Sequence, residues 1–136
     1  AAGTYVATLT VTDNEGGTGT DTVTITVTEP GNGCSSNCAI VSNISLTVRN
    51  NGSLVAMVTV VDENGSTLTG ATVDVLWTLP NGTTSADSTA VSNRGTARFN
   101  LGDNGPGTYT LAITNVTFNG YTFDVDNSVL VSSVVK

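Results

Sequence analysis

Thr4-Tyr5-Val6-Ala7-Thr8-Leu9-Thr10-Val11-Thr12 places Tyr5, Ala7, Leu9 and Val11 on one side of an extended chain and mostly threonine on the other. A period of two is the signature of a β-strand with one apolar face. The turn-forming run Asp13-Asn14-Glu15-Gly16-Gly17-Thr18-Gly19 follows, after which Val23, Ile25 and Val27 alternate with Thr22, Thr24, Thr26 and Thr28. Together the runs predict a β-hairpin with one apolar face.

The next stretch, Glu29-Pro30-Gly31-Asn32-Gly33-Cys34-Ser35-Ser36-Asn37-Cys38, breaks all periodicity with turn residues and reads as a linker. From Ala39 onward strand signals recur at about 40–49, 54–62, 71–79, 84–92, 95–101, 107–118 and 121–135, the last with a break near Asp126-Asn127. Asn/Asp/Gly-rich turns separate them. The expected organisation is a hairpin arm (1–29), a Cys-containing linker (30–38) and an immunoglobulin-like antiparallel β-sandwich (39–136). The expected sandwich core comprises Ile44, Leu46, Val48, Val58, Val60, Val73, Val75, Trp77, Phe99, Leu101, Tyr109, Leu111 and Ile113. Gly107-Thr108-Tyr109-Thr110-Leu111 has the spacing of a tyrosine corner. Gly3-Thr4-Tyr5 with Leu9 and Val11 echoes Gly107-Thr108-Tyr109 with Leu111 and Ile113, so the hairpin looks like the last two strands of a sandwich.

Composition agrees with an all-β class. The 136 residues include 25 Thr, 19 Val and 12 Ser but no Gln, a strand-and-turn mixture that is poor helix material. No stretch approaches the ~20 apolar residues that span a bilayer as a helix. Ala1-Ala2-Gly3 lacks the basic and apolar regions of a signal peptide, so a secretion signal, if one existed, is expected to have been removed. The formal charge is −7, with 11 acidic residues against Arg49, Arg94, Arg98 and Lys136. Such a chain attracts neither phosphate backbones nor anionic lipid, and nucleic-acid binding and membrane insertion are not expected.

Two segments resemble known families. Gly3-Thr4-Tyr5, Leu9-Thr10-Val11-Thr12-Asp13-Asn14-Glu15-Gly16-Gly17 and Asp21-Thr22-Val23-Thr24-Ile25-Thr26-Val27 resemble the C-terminal end of a PKD domain. Met57-Val58-Thr59-Val60-Val61-Asp62-Glu63-Asn64-Gly65, Gly70-Ala71-Thr72-Val73 and Trp77 resemble a bacterial Ig-like module of secreted multidomain proteins. Such modules often accompany secreted peptidases. The resemblance implies extracellular architecture and contacts rather than catalysis, and this chain lacks the cysteines that some of those modules carry within the sandwich.

The chemistry open to the chain is narrow. It has no histidine, so neither a Ser-His-Asp nor a Cys-His arrangement nor a histidine-containing zinc site can be built. The only lysine, Lys136, is terminal, which disfavours a Ser-Lys dyad or an internal isopeptide bond. The carboxylates fall mostly in turns, unlike the facing pair of a glycosidase. No enzyme activity, no cofactor and no metal ligands are expected. Asp13-Asn14-Glu15, Asp62-Glu63-Asn64 and Asp103-Asn104 could in principle meet calcium, but they fit no EF-hand loop and suit tight turns.

Cys34 and Cys38 are expected to form a local disulfide in an oxidising compartment, or to join neighbouring subunits. A redox-active pair would need thiolate-stabilising neighbours, and none is nearby in sequence. Asn43, Asn51, Asn64, Asn81 and Asn115 each begin a glycosylation sequon. Random placement of this many Asn, Ser and Thr gives about four sequons, so position matters more than number.

The hairpin shapes the functional expectation. A two-stranded ribbon is marginal in water, and Tyr5, Leu9, Val11, Val23, Ile25 and Val27 form an apolar stripe that requires a partner. Either the chain is a fragment of a longer protein or the arm docks elsewhere. If it docks on the next copy, the contact propagates head to tail and gives a filament. The expected function is a non-catalytic subunit of an extracellular, glycosylated filament. The alternative is an accessory Ig-like/PKD module of a secreted enzyme such as a peptidase. A carbohydrate-binding module would need exposed aromatics, and most of the few present fall in the expected core.

Overall fold

The structure, a computed structural model, describes residues 3–27 and 34–136. The first part of the expected linker, with Thr28, therefore lies outside the described residues. The chain divides into two compact units, Ala1–Asn32 and Gly33–Lys136.

The first unit is an antiparallel ribbon of β1 (Gly3–Thr12) and β2 (Thr18–Val27). The second contains β3 (Cys38–Val48), β4 (Leu54–Val61), β5 (Thr72–Thr78), β6 (Thr84–Ala90), β7 (Thr96–Leu101), β8 (Thr108–Thr117), β9 (Thr122–Phe123) and β10 (Val131–Val135). One sheet has the order β10-β8-β5-β6 and the other β7-β4-β3-β9. All pairings are antiparallel except β3 with β9. Ala56, Val58, Val60 and Phe99 of one sheet share a single core with Val73, Val75, Trp77, Leu111 and Ile113 of the other. The unit is thus an all-β sandwich. Among the described residues there is no helix, hence none long and apolar enough to cross a membrane.

Most of the expected core is buried. Leu46 and Leu101 are partly buried against it, whereas Val48 is exposed beside the turn that ends β3. The core also takes Ala39, Val41, Leu68, Val91, Ala97 and Val116, and Leu54 is fully buried as well. Two β-bulges explain part of that difference. In β3 the register shifts between Val41 and Asn43, so the inward set changes from Ala39 and Val41 to Ile44 and Leu46. In β8 the extra residue Thr114 carries the inward set from Tyr109, Leu111 and Ile113 to Val116. A bulge inserts one residue and reverses strict alternation.

Five loops repeat one geometry. In Asp13–Gly17, Arg49–Ser53, Asp62–Ser66, Leu79–Thr83 and Ser92–Thr96 the first N–H donates to the fifth carbonyl, and the fourth N–H donates to the first carbonyl. The fourth residue is always glycine, with φ between +79° and +86°. A type I turn closed by a left-handed residue is a common three-residue hairpin loop, and glycine enters that region without a Cβ clash.

The last connection is held by side chains. Asp124 is buried; its N–H donates to the Ala39 carbonyl at 2.9 Å, and its carboxylate accepts from Asn127 Nδ2 at 2.8 Å. Ser128 Oγ donates to the Asp124 carbonyl and accepts from the Val41 N–H. The break expected near Asp126-Asn127 is this network, which carries the chain from β9 to β10.

Candidate functional site

The ribbon register decides which hairpin side chains share a face. Tyr5 pairs with Ile25, Ala7 with Val23, Leu9 with Asp21, Val11 with Gly19 and Gly3 with Val27. Directly paired residues project to the same side. The expected stripe is therefore one face, and Tyr5, Leu9, Val11, Val23 and Ile25 are each 48–64% exposed. Of Val27 only the backbone is described. The other face carries Thr4, Thr8, Thr10, Thr12, Thr18, Thr20, Thr22, Thr24 and Thr26, with Val6 as its one large apolar residue. Asp21 is an addition to the expected apolar face: it lies opposite Leu9 and places a carboxylate inside the stripe.

A second surface lies on the sandwich. The outward face of the β7-β4-β3 sheet has rows Arg98–Met57–Ser45 and Asn100–Val55–Thr47. A groove of about 700 Å³ runs over it, lined by Val55, Met57, Arg49, Arg94 and Arg98, with Thr89 and Ala90 of β6 on its wall. Met57 is 41% exposed. Three of the chain's four cationic side chains thus line one groove of an acidic protein. No carboxylate lines it, and among the described residues none lies within 4.0 Å of the three guanidiniums. The fourth cation, Lys136, is paired with Asp103. That contact and the Gly105 N–H hold the Asp103 carboxyl below its ordinary pKa. Sequence reading missed the groove because Arg49 is far in the chain from Arg94 and Arg98. The available signal was scarcity: with so few cations, any that converge stand out.

The remaining candidates have definite places. Cys34 and Cys38 form a disulfide. Cys38 is fully buried and begins β3, so the disulfide loop belongs to the sandwich unit rather than to a separate linker. Asn43, Asn51, Asn64, Asn81 and Asn115 are all exposed. Asn51 Oδ1 accepts from the N–H and hydroxyl of Ser53, and Asn81 Oδ1 likewise from Thr83. These contacts use the amide oxygen rather than the amide nitrogen to which a glycan would attach. The acidic turn residues are engaged locally. Asp13 Oδ1 accepts from the Glu15 and Gly17 N–H groups at 2.9 and 2.7 Å, and Asp62 Oδ1 from Asn64 and Ser66, both at 2.8 Å. Among the described residues no group of three potential metal ligands converges.

No protein-family model matches the chain, and no match to it was found among curated proteins or solved structures. The PKD-like and Ig-like resemblances accordingly rest on the residues that carry them.

Proposed function

We propose that this chain is a non-catalytic structural subunit of an extracellular filament, assembled head to tail through its N-terminal hairpin. The observation that carries the reading is the exposed apolar face of β1 and β2. A ribbon of two strands is a single layer, so further burial of Leu9, Val11, Val23 and Ile25 calls for another surface. Burying such a side chain fully contributes about 1.5–3 kcal/mol, the driving force available to offset the cost of association. The disulfide suits an oxidising, extracellular setting, and five exposed sequons suit a glycosylated surface.

An accessory module of a secreted enzyme is the second reading. Tyr109 Oη donates to the Gly105 carbonyl at 2.6 Å, the tyrosine-corner contact of Ig-like sandwiches, which favours the module resemblance.

Negative-stain microscopy and sedimentation of the full chain separate the two. Filaments that disappear in Val23→Asp/Ile25→Asp, while the sandwich keeps its thermal transition, support the structural reading. Discrete particles at every concentration reject it in favour of the accessory module.

A further inference from the structure

We propose that the groove lined by Arg49, Arg94 and Arg98 is the acceptor for the hairpin of a second copy, with Asp21 of the incoming ribbon paired to Arg98. The inference rests on the assembly reading above and assigns its second surface. Residues 3–27 carry Asp13, Glu15 and Asp21 and no cation, whereas the groove carries three guanidiniums and no carboxylate. The patterns also correspond locally. On the ribbon, apolar Leu9 faces Asp21 across the ladder; on the acceptor, apolar Met57 faces Arg98 in the same way. Val23 and Ala7 continue the donor stripe, while on the acceptor the exposed apolar side chain is Met57, Val55 in the next row being buried.

A carboxylate within an apolar face is costly to bury without a cation, so Asp21 restricts the surfaces on which the stripe can dock. The same restriction opposes contact between two apolar ribbon faces, which would bury two Asp21 carboxylates with no cation in residues 3–27 to pair them. Guanidiniums that have no carboxylate partner among the described residues meet the requirement and set the register of docking. Glu15, at the ribbon tip, is a further carboxylate within the same incoming segment. Because donor and acceptor are different surfaces of one chain, the contact is heterologous, and it propagates as a filament when the rotation between successive copies does not close it into a ring or an arm-exchanged dimer.

Charge exchange in the full chain tests this. In Asp21→Arg the ribbon meets Arg98 with like charge, and in Arg98→Asp the groove meets Asp21 with like charge. Each variant alone should assemble at least about tenfold less readily by sedimentation than the unsubstituted chain. An equimolar mixture should co-assemble. In it the now cationic ribbon of the Asp21→Arg variant meets the now anionic groove of the Arg98→Asp variant, and the unchanged ribbon of the second meets the unchanged groove of the first. Asp21→Lys with Arg98→Glu provides a second pair, and the thermal transition of each variant verifies its sandwich. If Arg98→Asp assembles like the unsubstituted chain, the groove is not the acceptor while the assembly reading stands. If folded variants fail to rescue one another, the Asp21–Arg98 contact is wrong. An unsubstituted chain that stays monomeric throughout removes the assembly reading and this acceptor together.

Discussion

Glu63 holds Cys38 by a hydrogen bond from the Cys38 N–H to its carboxylate at 2.9 Å, and the other oxygen accepts from the Asn37 N–H at the same distance. The loop after β4 thereby fastens the start of β3. Asn37 has φ +52°, among the described residues the only positive value outside glycine, a region that Asn tolerates better than branched residues. The backbone donors, Cys38 foremost, together with Glu63's own N–H, hold the Glu63 carboxyl below its ordinary pKa.

Acid should therefore weaken the sandwich in a defined direction. A carboxyl whose pKa is lower in the folded chain than in the unfolded chain contributes stability above the unfolded value, and that contribution is lost as pH falls through the folded one. Glu63 and Asp103 both behave this way, with unperturbed values of 4.5 and 3.8. Thermal midpoints should be flat with respect to these groups at neutral pH and fall on acidification below about 4.5. In Glu63→Gln the midpoint at pH 7 should be lower and the acid slope shallower; an unchanged slope would remove Glu63 as a contributor.

The disulfide makes a related prediction about where the sandwich begins. Residues 33–136 should unfold cooperatively on their own, because their core is complete. Residues 39–136 lack Cys34, Cys38 and both N–H groups that meet Glu63, so they should be the less stable of the two. Closing so short a loop is worth ~2 kcal/mol in the chain-entropy model. Cys34→Ser/Cys38→Ser in the longer segment should show a loss of at least that size, because serine also puts a hydroxyl at the buried Cys38 position, measured by urea titration.

Tyr109 offers a test of the corner. Its ring is fully buried, and its hydroxyl reaches the Gly105 carbonyl. Tyr109→Phe keeps the ring and removes the donor to a partly exposed carbonyl, so the expected loss is about 0.5–1.5 kcal/mol. A midpoint unchanged in denaturant would place the stabilisation in the ring alone.

What could be read from the chain follows from how local each signal is. The hairpin face, the earlier strand positions and the burial of Trp77 and Tyr109 come from alternation and turn residues within a dozen positions and are found, whereas of the run expected over 121–135 only Thr122–Phe123 and Val131–Val135 are strand. Val41 and Val116 escape such a reading because one inserted residue at each bulge reverses the alternation. Asp21 reads as a solvent residue beside a turn; only the pairing with Leu9 puts it in the apolar face. The arginine groove and the Glu63 clasp join segments far apart in sequence, which no local pattern encodes.

Face specificity is the sharpest test of the ribbon itself. Thr24 and Ile25 are adjacent on β2 but project to opposite sides, Thr24 opposite Val6 and Ile25 opposite Tyr5. Both are good strand residues, so aspartate at either position loses a comparable strand preference, up to about 1 kcal/mol. Any difference between the two variants then reports what each face touches. If the apolar face is covered in the assembly, Ile25→Asp buries a charge and should abolish filaments, at a cost of several kcal/mol. Thr24→Asp leaves its charge among hydroxyls and should assemble with little change. Equal loss in both would mean that assembly senses the ribbon's stability or its backbone edges rather than the stripe. Equal persistence would mean that the stripe is not an interface.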